Sequence, residues 1–137
     1  MCTQLRDQYL RYPGISRATF AAAPSNLDTL RVSEGLLAIV LAGGVEPQAA
    51  AWAVDSLTLY VNAHSLEVAV AAGRLGRAGD EWVVSRDDML RRFASLPETF
   101  PQTKRYASEL TAGTTADRFL FTINLMIDGL PGIKGQA

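Results

Sequence analysis

The sequence is poor in the residues on which most catalytic and metal-binding chemistry depends. It contains one cysteine, Cys2, and one histidine, His64, among 137 residues. A single cysteine excludes an internal disulfide and fits a reducing compartment. A single histidine leaves no Cys/His set with zinc-binding spacing, and no phosphate-binding glycine motif is present. We therefore predict a protein that is not an enzyme and that holds no metal and no cofactor.

An excess of positive charge is also missing. The chain has 13 Lys and Arg against 14 Asp and Glu, a formal net charge of -1. A domain that holds nucleic acid by itself usually has a basic face, so we expect no direct binding to DNA or RNA. The first ten residues lack the apolar core of a signal peptide, which predicts a cytoplasmic protein. The 48% of hydrophobic residues suit one globular domain, 1–137.

Strand-like alternation is nearly absent, and helical spacing separated by glycine and proline takes its place. The fold class predicted is all-α, a helical bundle of about six to seven helices. The predicted helices cover 3–12, 13–22, a segment from a cap at 25 or 26 to 42, 46–73, 86–96, 102–110 and 115–128.

The long helix from Glu46 to Gly73 is apolar around most of its circumference. It also contains Asp55, Asn62, His64 and Glu67, which would be costly in hydrocarbon, so we predict burial in a protein and no membrane span. The last helix is likewise more apolar than a one-sided surface helix needs. Leaving both outer faces in water would expose a large apolar patch. We therefore predict a homodimer formed through a four-helix bundle, with two helices from each subunit.

Several side chains of the long helix leave alternatives open. Asp55 lies among apolar residues, where it could hold a polar group of a ligand or pair with an arginine of another helix. Trp52 and Tyr60 share a face, as pocket lining or as core. His64 and Glu67 are three residues apart, which suits a metal pair or a local pair at a dimer interface; the lone histidine favours the interface.

Four pieces of the sequence together resemble the C-terminal domain of the tetracycline-repressor (TetR) family of regulators. They are LRDQYLRYPGISRATFAAAP, the Gly43-Gly44 turn, HSLEVAV and ADRFLFTINLMIDGL, and the likeness runs from Leu5 to Leu130. Such a resemblance implies a homodimeric one-component regulator, usually a repressor. Its helical domain binds a small organic effector, and its N-terminal helix-turn-helix then releases operator DNA. Only the C-terminal part matches, so operator binding is expected through a helix-turn-helix that this chain does not contain.

The resemblance and the residue patterns above together supply candidate positions for the effector pocket and the dimer interface. The family's metal-binding histidine falls at Thr19, so we expect a metal-free, mostly apolar pocket. Candidate ligand-binding residues are Leu5, Thr19, Ser33, Leu36, Leu37, Ala51, Val54, Asp55, Thr58 and Phe93. Candidate interface residues are Tyr60, His64, Glu67, Phe121, Leu125 and Met126. The alternative is a helical dimer without a DNA-binding head that acts through protein–protein contact.

Overall fold

The computed structural model describes residues 1–12, 27–75 and 85–130, and every regular element in these ranges is a helix. The all-α prediction is therefore confirmed. The predicted helix over 13–22 lies outside the described residues. The helices are α1 (Cys2–Arg11), α2 (Leu27–Ala42), α3 (Pro47–Leu75), α4 (Arg86–Ala94), α5 (Pro101–Arg105), α6 (Ala107–Leu110) and α7 (Thr115–Gly129).

A tight connection joins α2 to α3. Gly44 has φ 81°, the left-handed conformation that glycine adopts at little cost, and its N–H donates to the carbonyl of Leu41 at 2.9 Å. Glu46 then begins α3, because its carboxylate accepts the N–H groups of Gln48 and Ala49 at 3.0 and 3.2 Å. This short connection makes α2 and α3 a helical hairpin whose two members pack against each other.

Two later helices begin at the predicted residues 86 and 115, and a side-chain cap precedes each. Ser85 accepts the N–H of Asp88 at the start of α4. Thr114 and Asp117 form a reciprocal capping box at the start of α7, and these hydrogen bonds lower the pKa of Asp117 below its ordinary value. The segment predicted as one helix over 102–110 is instead interrupted at Tyr106, which separates α5 from α6.

The core is built around α3, which packs against α1, α2 and α7. Leu57 and Val61 of α3 meet Phe119 and Ile123 of α7, and Leu5 of α1 packs against this cluster. The short helices α4, α5 and α6 contact one another.

Phe119 is the largest side chain of that cluster and is fully buried. Its ring centroid lies 5.7 Å from that of Tyr60 and 4.9 Å from that of His64, and the guanidinium of Arg6 lies 4.7 Å from the ring centroid. This one residue therefore ties α1, α3 and α7 together.

The outward faces of α3 and α7 carry large apolar side chains. Trp52 is 63% exposed, and Phe121 and Leu125 are 68% and 62% exposed. Among the described residues, no helix is both long enough and apolar enough to cross a membrane.

Candidate functional site

An open hollow of about 580 Å³ lies between α2 and α3. Its size falls within the range of small-molecule pockets. The lining residues are Leu27, Leu30, Arg31, Ser33, Glu34, Leu37, Ala51 and Val54. Leucine, alanine and valine supply an apolar wall, while a guanidinium, a carboxylate and a hydroxyl supply a few polar groups. A mostly apolar surface with a few polar groups is what binding an organic molecule requires.

The sequence builds this hollow from two helix faces. Leu27, Leu30, Glu34 and Leu37 are spaced by three or four residues, so they share one side of α2. The opposing wall on α3 contains small side chains, of which Ala51 is the smallest. The short connection holds the two helices together as a hairpin. The space that larger side chains on α3 would fill therefore stays open between them.

Four of the predicted ligand-binding residues come together in this hollow: Ser33, Leu37, Ala51 and Val54. Leu36 neighbours them on α2, with its own side chain buried.

Two further predicted residues lie on α3. The Thr58 hydroxyl donates to the carbonyls of Val54 and Asp55 at 2.9 and 3.0 Å, which places it one turn beyond the hollow. Asp55 is exposed, so its carboxylate is hydrated and requires no buried partner.

Two predicted ligand-binding residues are found elsewhere, and a third is not among the described residues. Leu5 packs against the core cluster, and Phe93 belongs to α4, which packs with α5 and α6; neither lines the hollow. Thr19 lies outside the described residues. Their roles in binding stay predictions.

Four lining residues, Leu27, Leu30, Arg31 and Glu34, were not singled out from the sequence as candidate site residues. A signal for them was present, because they continue the helix face that contains Leu37. Their spacing identifies a face, but not which neighbouring helix the face meets.

The predicted interface residues divide into three environments. Phe121 and Leu125 are exposed on α7. Tyr60 and Met126 are half-buried beside the core cluster. His64 is only 4% exposed in the single chain, so little of its surface is left for a second subunit.

Glu67, the sixth predicted interface residue, is bound within the chain. Its carboxylate accepts from the guanidinium of Arg118 at 2.7 Å, an ion pair that joins α3 to α7. Whether these six positions contact a second copy stays a prediction.

A second, smaller groove of about 220 Å³ lies on the other side of α3, where it faces α7. The lining residues are Ala49, Trp52, Ala53, Ser56, Leu57, Met126 and Leu130. This groove is continuous with the apolar side chains that α3 and α7 turn outward.

Within the described ranges, no three His, Cys, Asp or Glu side chains are grouped so that they could hold a metal ion. Burial raises the pKa of the Cys2 thiol above its ordinary value, which keeps the thiol protonated and unreactive near neutral pH.

Comparison with known families identifies the chain. The family model for the tetracyclin repressor-like C-terminal domain matches residues 1–132. The chain belongs to this family of regulator domains. Members of the family are transcription regulators, so the prediction that the protein is not an enzyme is confirmed. No curated protein matches the chain.

Solved structures with the same fold include ActR from Streptomyces coelicolor. Its apo form superposes with a TM-score of 0.77 at 24% identity. The TetR family protein ActR in complex with (S)-DNPA gives 0.78 at 25% identity, and its complex with actinorhodin gives 0.78 at 26%. Each comparison covers 96% of this chain, which spans 60 to 61% of the length of the ActR chain.

Proposed function

We propose that the chain is the effector-binding and dimerisation domain, spanning 1–137, of a TetR-like transcriptional repressor. The effector is a small organic molecule that binds in the hollow between α2 and α3. The domain pairs with a second copy through α3 and α7, and DNA is bound by a helix-turn-helix outside this chain. Because such a regulator acts where the DNA is, we expect it in the cytoplasm.

The observation that carries the proposal is the hollow itself. It is lined by Ser33, Leu37, Ala51 and Val54, four of the positions that the family resemblance implied. ActR, which shares the fold, forms complexes with (S)-DNPA and with actinorhodin, and both support a small-molecule role for a domain of this shape.

The dimer part of the proposal rests on the outward apolar faces. Phe121 and Leu125 on α7 and Trp52 on α3 are more than half exposed in the single chain. Covering one such side chain is worth roughly 1.5–3 kcal/mol. Two copies that pair these helices would form a four-helix bundle and remove the patch from water.

The mechanism follows from differential affinity. An effector between α2 and α3 favours the arrangement of this hairpin that fits it better, and only the difference in affinity between two arrangements can shift their populations. If the arrangement that fits the effector separates the two DNA-binding heads wrongly for the operator, binding of the effector releases the DNA.

The proposal can be tested with a substitution that fills the hollow. Ala51 lines it and is exposed, so Ala51→Trp places an indole there without disturbing the core. Ala42→Trp, at the exposed end of α2, is the matched control. Thermal shift against a panel of planar aromatic compounds should give hits for the unaltered protein and for Ala42→Trp that disappear in Ala51→Trp. Hits that persist in Ala51→Trp would place binding elsewhere and contradict the proposal.

The alternative function is a helical dimer that acts by pairing with another protein through the outward faces of α3 and α7. The exposed Phe121 and Leu125 favour it as well. The two functions predict different results in the thermal-shift test. A protein of the alternative class would bind no compound whose binding Ala51→Trp abolishes.

A further inference from the structure

One charged residue interrupts an otherwise apolar row on the face of α2 that lines the hollow. The row consists of Leu27, Leu30, Glu34, Leu37 and Leu41, which follow one another at alternating intervals of three and four residues. A fifth leucine in the middle of this row would add apolar surface to the hollow. Glu34 instead lines the hollow with a carboxylate. This carboxylate therefore lies among the apolar side chains that an organic molecule in the hollow would touch.

The guanidinium that lines the hollow does not neutralise this carboxylate. Arg31 has an interaction of its own within the chain. Glu34 takes part in none of the ion pairs that join the described residues to one another. Of these two charged side chains, the carboxylate of Glu34 is therefore the one that can pair with a bound molecule.

The charges around the hollow favour a positive ligand. Asp55 follows Ala51 by one turn, so it adds a second carboxylate on the side of α3 that lines the hollow. Arg31 is the single basic residue in the sequence from 27 to 60. A cleft with an excess of one charge sign beside apolar walls concentrates ligands of the opposite sign. The field at the hollow therefore attracts cations more than anions.

A bound organic molecule changes the surroundings of Glu34. Its side chain is exposed in the free chain, so water solvates the carboxylate. A neutral aromatic body in the hollow displaces part of that water without replacing its hydrogen bonds, which costs free energy. An ammonium group on the same body replaces the lost water with an ion pair. Glu34 therefore discriminates between molecules of the same shape by their charge.

We infer that Glu34 is a specificity-determining residue of the effector site, and that the effector is an organic cation with an aromatic body and an ammonium group. The inference rests on the proposed function and deepens it by naming the chemical class of the effector. The apolar body packs against Ala51 and Val54 of α3, and the ammonium group pairs with Glu34 of α2.

The inference can be tested with three fluorescent probes that share one aromatic body. They are 1-pyrenemethylamine, which is protonated at neutral pH, the neutral 1-pyrenemethanol, and the anion 1-pyrenecarboxylate. Titrations use the unaltered chain, Glu34→Gln, and the matched control Glu109→Gln, which removes an exposed carboxylate from α6. Glutamine and glutamate have similar size and helix propensity, so both variants should fold.

The probes should separate Glu34 from the control carboxylate. The unaltered chain and Glu109→Gln should bind the ammonium probe about fivefold more tightly than the alcohol, near the upper limit for an exposed ion pair. In Glu34→Gln this ratio should fall to about one. Raising the salt concentration should reduce the preference of the unaltered chain, because salt screens an exposed pair. A preference that salt does not change would contradict the ion pair.

The outcomes distinguish failure of the inference from failure of the proposed function. Equal binding of the ammonium and alcohol probes by the unaltered chain, or a preference that survives in Glu34→Gln, overturns the role of Glu34 and leaves the effector site standing. Tighter binding of the carboxylate probe does the same, because it would assign the recognised charge to Arg31. Failure of all three probes to bind, or binding that persists in Ala51→Trp, overturns the proposed function together with the inference.

Discussion

Two phenylalanines of α7 allow the core and the proposed dimer face to be tested with the same substitution. Phe119 is fully buried, whereas Phe121, two residues later, is 68% exposed in the single chain. Phe119→Ala and Phe121→Ala remove identical atoms from the same helix. Any difference between them therefore reports on the surroundings of each ring and not on helix propensity.

Phe119→Ala should lower the free energy of unfolding by about 3–5 kcal/mol, the range for truncating a buried phenylalanine. The structure places the loss toward the upper end of that range. The ring contacts Tyr60 and His64 and lies under the guanidinium of Arg6, so three partners from two other helices lose their neighbour. Since domains of this size are stable by about 5–15 kcal/mol, the variant should be barely folded.

Phe121→Ala should behave differently. In a lone chain an exposed ring contributes within about 0.5 kcal/mol. At the centre of a dimer interface an aromatic side chain contributes about 2 kcal/mol, which weakens association about 30-fold. Its loss of stability should therefore be seen at high protein concentration, where chains pair, and should shrink at low concentration, where dimers dissociate.

Urea unfolding followed by circular dichroism at two protein concentrations separates the cases. The reasoning is refuted if Phe119→Ala is as stable as the unaltered protein. It is also refuted if Phe121→Ala costs as much as Phe119→Ala at every concentration, because Phe121 would then belong to the core of each chain.

Two further predictions concern the helix ends. Gly44→Ala should lower the free energy of unfolding by about 1 kcal/mol because Gly44 has φ 81°. Gly73→Ala, in α3 with open space around it, should raise the free energy of unfolding by about 0.5–1 kcal/mol. Opposite shifts in melting temperature would confirm both predictions. Asp117→Asn should lower the melting temperature at pH 7 but not near pH 2. The folded-state pKa of Asp117 is depressed, so its contribution is fully present above the unfolded value of about 3.9 and is lost as pH falls through the lower folded-state pKa. A melting difference that is the same at both pH values would contradict the capping box.

The helix boundaries could be predicted because their causes are local. Gly44 and the caps at Ser85 and Thr114 act within one turn of the chain, so composition and spacing reveal them. The interruption at Tyr106 was not predicted, since no glycine or proline marks it. α3 continues to Leu75 past the predicted end at Gly73, because a glycine near a helix end permits termination without enforcing it.

The site was harder to predict because it depends on how helices meet. α3 is apolar on most sides, so spacing alone could not tell which side faces α2 and which faces α7. The resemblance supplied Ser33, Leu37, Ala51 and Val54, which the structure brings together.

Native mass spectrometry of the gently purified chain tests the central claim most directly, because one spectrum reports both subunit number and bound small molecules. The account predicts a dimer that carries a discrete organic mass, and a dimer without that mass for Ala51→Trp. A monomer with nothing bound would contradict both the pairing through α3 and α7 and the effector site between α2 and α3.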